Sequence, residues 1–193
     1  LIFNSSDWNT WKQVTVEGVN DNIDDDNQPY SVTLSASSSD GKYAGITIPS
    51  VSLTNTDDDV AEVLLSQTTG LVTTEAGGTA TFTVSLKTQP KNSVTISLLS
   101  SNTSEGTVSP TTLNFNAGNY SAPQTVTLTG VEDQIDDGDQ PYTISLTASS
   151  SDTKYNNISI PSVSATNTDD DTAGVILSAI SNNTTEAGGT ATF

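Results

Sequence analysis

The chain has 193 residues and a formal charge of −18 at pH 7, from 23 acids set against five lysines, with no arginine, histidine or cysteine. Like charge disfavours nucleic acid and anionic membranes as partners, and the missing cysteines remove disulfides, thiol catalysis and thiolate metal sites. No apolar run reaches membrane-spanning length, so no membrane insertion is expected of this segment, and small or multivalent cations are the favoured partners.

The chain repeats itself. QPYSVTLSASSSDGKY at Gln28 returns as QPYTISLTASSSDTKY at Gln140, and PSVSLTNTDDD at Pro49 returns as PSVSATNTDDD at Pro161, both at an offset of 112 residues. VTTEAGGTATF, ending at Phe82, returns as NTTEAGGTATF, ending at Phe193, one residue closer. The predicted organisation is the second half of one repeat over 1–59, a complete repeat over 60–171, and the opening strands of a third over 172–193. Counterparts of 83–112 are missing from both partial copies, so strand exchange between identical chains would not rebuild a unit. The expectation is an excerpt from a longer repetitive polypeptide.

Within the complete repeat, alternation of apolar and hydroxyl residues predicts seven strands in chain order: 61–66, 79–87, 94–99, 112–115, 124–131, 142–148 and 158–167. In the second of them Ala80, Phe82, Val84 and Leu86 share one face and threonines the other. Ile96, Leu128, Tyr142, Ile144, Ile158 and Ile160 are further inward positions. The predicted fold class is all-β, a tandem array of immunoglobulin-like antiparallel β-sandwich repeats of about 112 residues. Trp8, Trp11 and Tyr120 are read as core or loop packing in preference to a sugar platform, and Asp152, Lys154 and Tyr155 as a turn.

In such a sandwich successive strands alternate in direction, so the loops after the first, third and fifth strands, and the end of the seventh, meet at one pole. Ten of the twelve acids of the complete repeat fall there: Glu75, Glu105, Glu132, Asp133, Asp136, Asp137, Asp139, Asp169, Asp170 and Asp171. Lys87, Lys91 and Lys154 sort to the other pole, as do Lys12 and Lys42 of the first copy. Two unit charges about 4 Å apart repel by roughly 1 kcal/mol even in bulk water, so the acidic pole calls for a cation. Calcium, which accepts roughly six to eight oxygen ligands in flexible geometry, suits loop carboxylates better than magnesium does.

The acidic segments are not those of an EF-hand or of a glycine-rich calcium nonapeptide. EAGGTATF, EDQIDDGDQPY and TNTDDD together resemble the Calx-beta family, the calcium-binding β-sandwich of sodium/calcium exchangers and many bacterial surface proteins. The resemblance implies metal ligands at Glu75, Glu132, Asp133, Asp137, Asp169, Asp170 and Asp171. In the first copy it implies Asp21, Asp25, Asp57, Asp58 and Asp59, and in the third Glu186. Asn20 stands in the first copy where Glu132 stands in the second, and Gln140 replaces one acid of the family pattern. The family's TxDGTAxxxxDY loop is replaced by SSNTSEGTVSP, with Glu105 near its acid. Glu75 and Glu186, each before Gly-Gly, are equally readable as turn residues.

Three functions compete. The first is a structural module of a long extracellular, bacterial surface protein: a calcium-rigidified head-to-tail rod in a fibre, surface layer, matrix or adhesin stalk, whose partners are neighbouring repeats of the same chain and identical chains. The second is a ligand- or carbohydrate-binding adhesin domain, which requires exposed aromatics or a dedicated variable loop. The third is a carboxylate-based glycosidase, disfavoured by acids gathered at a domain junction; the expectation is that the chain is not an enzyme.

Overall fold

A computed structural model describes residues 1–193, and it contains strands and turns but no helix. In the first copy β1 (Gln28–Val32) pairs antiparallel with β2 (Val51–Asn55). The complete repeat holds β3 (Val63–Leu65), β4 (Leu71–Thr74), β5 (Thr79–Leu86), β6 (Val94–Ser100), β7 (Gly106–Ser109), β8 (Thr112–Phe115), β9 (Gln124–Gly130), β10 (Gln140–Ser150) and β11 (Val163–Thr168). They form a five-stranded sheet ordered β4-β11-β10-β6-β8 and a four-stranded sheet ordered β3-β5-β9-β7.

Alternation decides what lies between the sheets. Phe82, Val84 and Leu86 of β5 and Val126 and Leu128 of β9 are buried from one side. Val94 and Ile96 of β6, Phe115 of β8, Tyr142 and Ile144 of β10 and Val163 of β11 are buried from the other. Each fully buried side chain of this size contributes about 1.5–3 kcal/mol relative to exposure, which is how a chain of modest hydrophobicity sustains a core. Of the positions predicted inside, Ala80, Ile158 and Ile160 are partly buried at the core margin.

The complete repeat has nine strands where seven were predicted. The two additional strands, β4 and β7, lie in segments read as the loops after the first and third predicted strands. After β3 the chain turns at Gly70, in the left-handed region at φ 75°, and continues as β4 in the opposite sheet, parallel to β11. Likewise β7 runs beside β9 before β8 joins β6. β4 turns only Leu71 and Thr73 inward, one of them a threonine, so its apolar signal is weak. The predicted last strand begins later, at Val163. Because β4 continues in the direction of β3, and β8 in that of β7, the two poles stay where alternation put them.

The partial copies repeat local features of the complete one. Gln28 faces Asn55 as Gln140 faces Asn167, and the Thr74–Gly78 bridge recurs as Thr185–Gly189. Trp8 and Trp11 are exposed, contrary to the packing role expected of them. Tyr120, the counterpart of Trp8, is partly buried against the core.

Candidate metal centre

Glu75 owes its position to the parallel pairing of β4 with β11. Thr74 lies opposite Thr168, and the Glu75 N–H donates to the Thr168 carbonyl at 3.1 Å, so the ladder delivers Glu75 beside Asp169. The chain then reverses through Gly77, at φ 81°, where the left-handed backbone favours glycine. Gly130, at the end of β9, lets this turn approach closely: a Cβ there would meet the Thr74 carbonyl and the Asn167 side chain.

Two sets of carboxylates converge at this pole. Oxygens of Glu75, Asp133 and Asp171 lie within 4.8 Å of one another, as do those of Glu105, Asp133 and Asp137, so Asp133 is common to both. Asn167, fully buried, ties the surrounding elements together. Its Oδ1 accepts from Thr73 Oγ1 at 3.0 Å, while its Nδ2 donates to the Val131 carbonyl at 3.1 Å and faces Glu105 Oε2 at 3.5 Å. Asp169 organises the loops, accepting from the N–H groups of Gly138 at 2.7 Å and Asp171 at 2.8 Å.

The electrostatics separate these acids. The Asp171 and Gly138 N–H groups hold the Asp169 carboxyl below its ordinary range. Burial, reinforced by Asp169 and Asp133, pushes Glu75 up to about 7. Asp171 is raised by burial and by Asp169 and Asp170, and Glu132 by loss of water and by Asp170. Glu75 is 1% exposed, and its Oε2 and the Asp171 Oδ2 are buried without a hydrogen-bond partner. Two orphaned anionic oxygens in one all-oxygen cluster fit a hard cation, which would supply the missing partner and offset the repulsion.

A Calx-beta domain model matches residues 1–60 and again 56–172. The chain belongs to the Calx-beta family. No curated protein matches it. Among solved structures it is similar to SSP-19, an MSP-domain-like protein of Caenorhabditis elegans, at 13% identity over 53% of this chain and 94% of that one, with a TM-score of 0.38. The E. coli chaperone DraB shares 11% identity over 60% and 59% of the respective chains, with a TM-score of 0.41. Domains 4 and 5 of the S-layer protein SbsC share 19% over 74% of each, with a TM-score of 0.35.

Of the residues that the Calx-beta resemblance marked in the complete repeat, Glu75, Asp133, Asp137 and Asp171 come together, and Asp169 supports them. Glu132 and Asp170 are exposed and join neither set. Glu105, absent from the expected ligands, joins the second set and is 6% exposed. Its signal was a lone acid before Gly106 in a loop at the acidic pole, and the tight Gly106–Gly130 pairing brings that loop in.

The first Calx-beta copy repeats the scaffold. Asp57 accepts from the Asp59 and Asp25 N–H groups at 2.9 and 2.7 Å, and Asn55 donates to the Val19 carbonyl at 2.9 Å. The Asp59 N–H lowers the Asp57 carboxyl, and burial with Asp58 raises Asp59, as in the second copy. Asp21, Asp25 and Asp57 to Asp59 line an open cleft of about 340 Å³. Counterparts of Glu75 and Glu105 for this copy lie outside the chain. Glu186 is exposed in the turn of the third copy.

Proposed function

We propose that this chain is a structural repeat segment of a long extracellular surface protein, in which calcium at the head of each sandwich stiffens an end-to-end array. The observation that carries the reading is the pair of orphaned oxygens, Glu75 Oε2 and Asp171 Oδ2, inside a carboxylate cluster at the end of the domain where the next copy begins. Membership in the Calx-beta family supports calcium as the ion, and the all-oxygen donor set suits calcium over softer metals. Calcium would be held by Glu75, Asp133 and Asp171, with Glu105 and Asp137 on the far side of Asp133, and would supply positive charge and cross-links between loops.

The first-copy head supports the array reading as well. Its Asp24 accepts from the N–H of Ala61 at 2.8 Å, and Asp136 accepts from Ala173 at 2.7 Å, so the same acid meets the entry into the following copy twice. The test is a calcium titration of the chain followed by melting temperature and small-angle scattering. The expected result is a higher melting temperature and a stiffer, more extended particle with calcium than with chelator. Identical melting and identical scattering in the two conditions would overturn the proposal.

A further inference from the structure

The pole opposite the acid cluster also contains a buried carboxylate, one that takes no part in the metal centre. Asp152, in the turn after β10, is 5% exposed. Its Oδ2 accepts from the backbone N–H of Lys91 at 2.7 Å and its Oδ1 from that of Lys154 at 3.0 Å. One acid thus sets the backbone of two separate loops, each carrying a lysine.

Both lysines reach the preceding copy. Lys154 Nζ lies 2.8 Å from Asp24 Oδ1 and 2.7 Å from Asp26 Oδ1, and Lys91 Nζ lies 3.6 Å from Asp25 Oδ2. The contact extends to the backbone, where the Gln89 N–H donates to the Asn22 carbonyl at 2.7 Å. The Asp24 side chain is only 13% exposed, and its hydrogen bond to Lys154, followed by that of Asp26, holds the ammonium firmly protonated. An isolated exposed ion pair contributes little because two long side chains must be ordered to form it. Here Asp152 has already set the backbone of both lysine loops and the Ala61 N–H already orients the Asp24 carboxylate, so less ordering remains.

We propose that Asp152 presets Lys91 and Lys154 as a two-lysine clamp that grips the Asp24–Asp26 loop of the preceding repeat and restricts the junction even without metal. The proposal rests on the reading of the chain as an end-to-end array, not on calcium. Asp152 is a positioning residue, and Lys154, shared between two carboxylates, makes the principal contact. At the next junction Gly138 replaces Asp26 while Asp136 keeps the place of Asp24, so that junction has one carboxylate fewer to offer.

The absence of cysteine permits a direct test on the 193-residue chain. Ser52→Cys and Thr125→Cys, both at exposed strand positions on either side of the junction, carry spin labels for distance distributions measured in chelator and in calcium. In chelator the parent should give a narrower distance distribution than the lysine double variant, Lys91→Ala with Lys154→Ala, and calcium should narrow it further. Lys154→Arg alone should keep the parent width, and Asp152→Asn should broaden it with both lysines present. Melting curves report whether Asp152→Asn remains folded; if it does not, the lysine pair decides. In chelator, a parent distribution as broad as that of the lysine double variant overturns the clamp. If narrowing requires calcium in every variant, the clamp fails and the calcium reading stands. If calcium changes neither the distances nor the melting while the lysine variants broaden, the clamp stands and the calcium reading fails.

Discussion

Thr74 and Thr168 lie opposite one another in the parallel ladder of β4 and β11, and each is followed by an acid of the cluster, Glu75 and Asp169. Parallel strands end at the same pole, so residues 94 positions apart emerge side by side. The turn at Gly77 and Gly78 then holds Glu75 in place, its Gly78 N–H donating to the Thr74 carbonyl at 3.1 Å. Replacing Gly130 by alanine would push a methyl group against that carbonyl. Gly130→Ala should cost about 1–3 kcal/mol, the range for overpacking, and should weaken calcium binding more than an exposed substitution such as Thr125→Ala. Denaturant melts and calcium titrations of the two variants check this.

Calcium should raise the melting temperature and magnesium far less, because magnesium demands near-octahedral geometry and retains its waters. Binding to the folded state alone adds about 2.7 kcal/mol when calcium exceeds Kd a hundredfold. Asp171→Asn should remove most of the response and Asp170→Asn little of it, since Asp170 joins neither set. Equal losses in the two variants would contradict the assignment of Asp171.

The Glu75 carboxyl gives a signed pH dependence. Its folded value is raised from an ordinary 4.5 to about 7, so the folded state holds its proton more tightly than the unfolded chain. In chelator the stability linked to this proton is present below 4.5 and is lost as pH rises through about 7. Glu75→Gln should therefore melt higher than the parent at alkaline pH in chelator while losing the calcium response. Calcium binding near neutrality should release protons, which isothermal titration in buffers of different ionisation enthalpy would detect.

Asn167 is fully buried and bonded to Thr73 and Val131. Asn167→Ala removes the donor to the Val131 carbonyl and leaves the Thr73 hydroxyl with only Tyr142 and Thr166, and a buried polar group left unsatisfied costs roughly 1–3 kcal/mol. Glu105 also loses its contact with the Asn167 amide, so calcium affinity should fall together with stability. A melting temperature unchanged in chelator would contradict this.

Phe82 is a simpler case, being 1% exposed between the sheets. Phe82→Ala should cost about 3–5 kcal/mol through lost burial and a cavity. Thr81→Ala, one residue away on the exposed face, should stay within about 0.5 kcal/mol. Urea unfolding of the pair tests the register of β5.

Much of this was legible in the sequence because strand alternation is a local property. The alternating run from Ala80 to Leu86 could sit on a sandwich in only one register, and that run placed Phe82, Val84 and Leu86 correctly. Strand direction, counted along the chain, was enough to gather the acids at one pole, and the repeat offset carried the same reading into the first copy. What the sequence could not determine depends on contacts between distant segments. Leu71–Thr74 has too few inward apolar residues to announce a strand, and only the edge of β11 makes it one. Glu105 became a member of the cluster, and Glu132 did not, because the Gly106–Gly130 pairing and the Asn167 bonds set loop positions that no local spacing encodes. Asp152 read as an ordinary turn acid, and its link to Lys91 appeared only when β5–β6 and β10–β11 turns were folded against one another. Alternation fixes which face of a strand is buried; which carboxylates share an ion is decided where the loops pack.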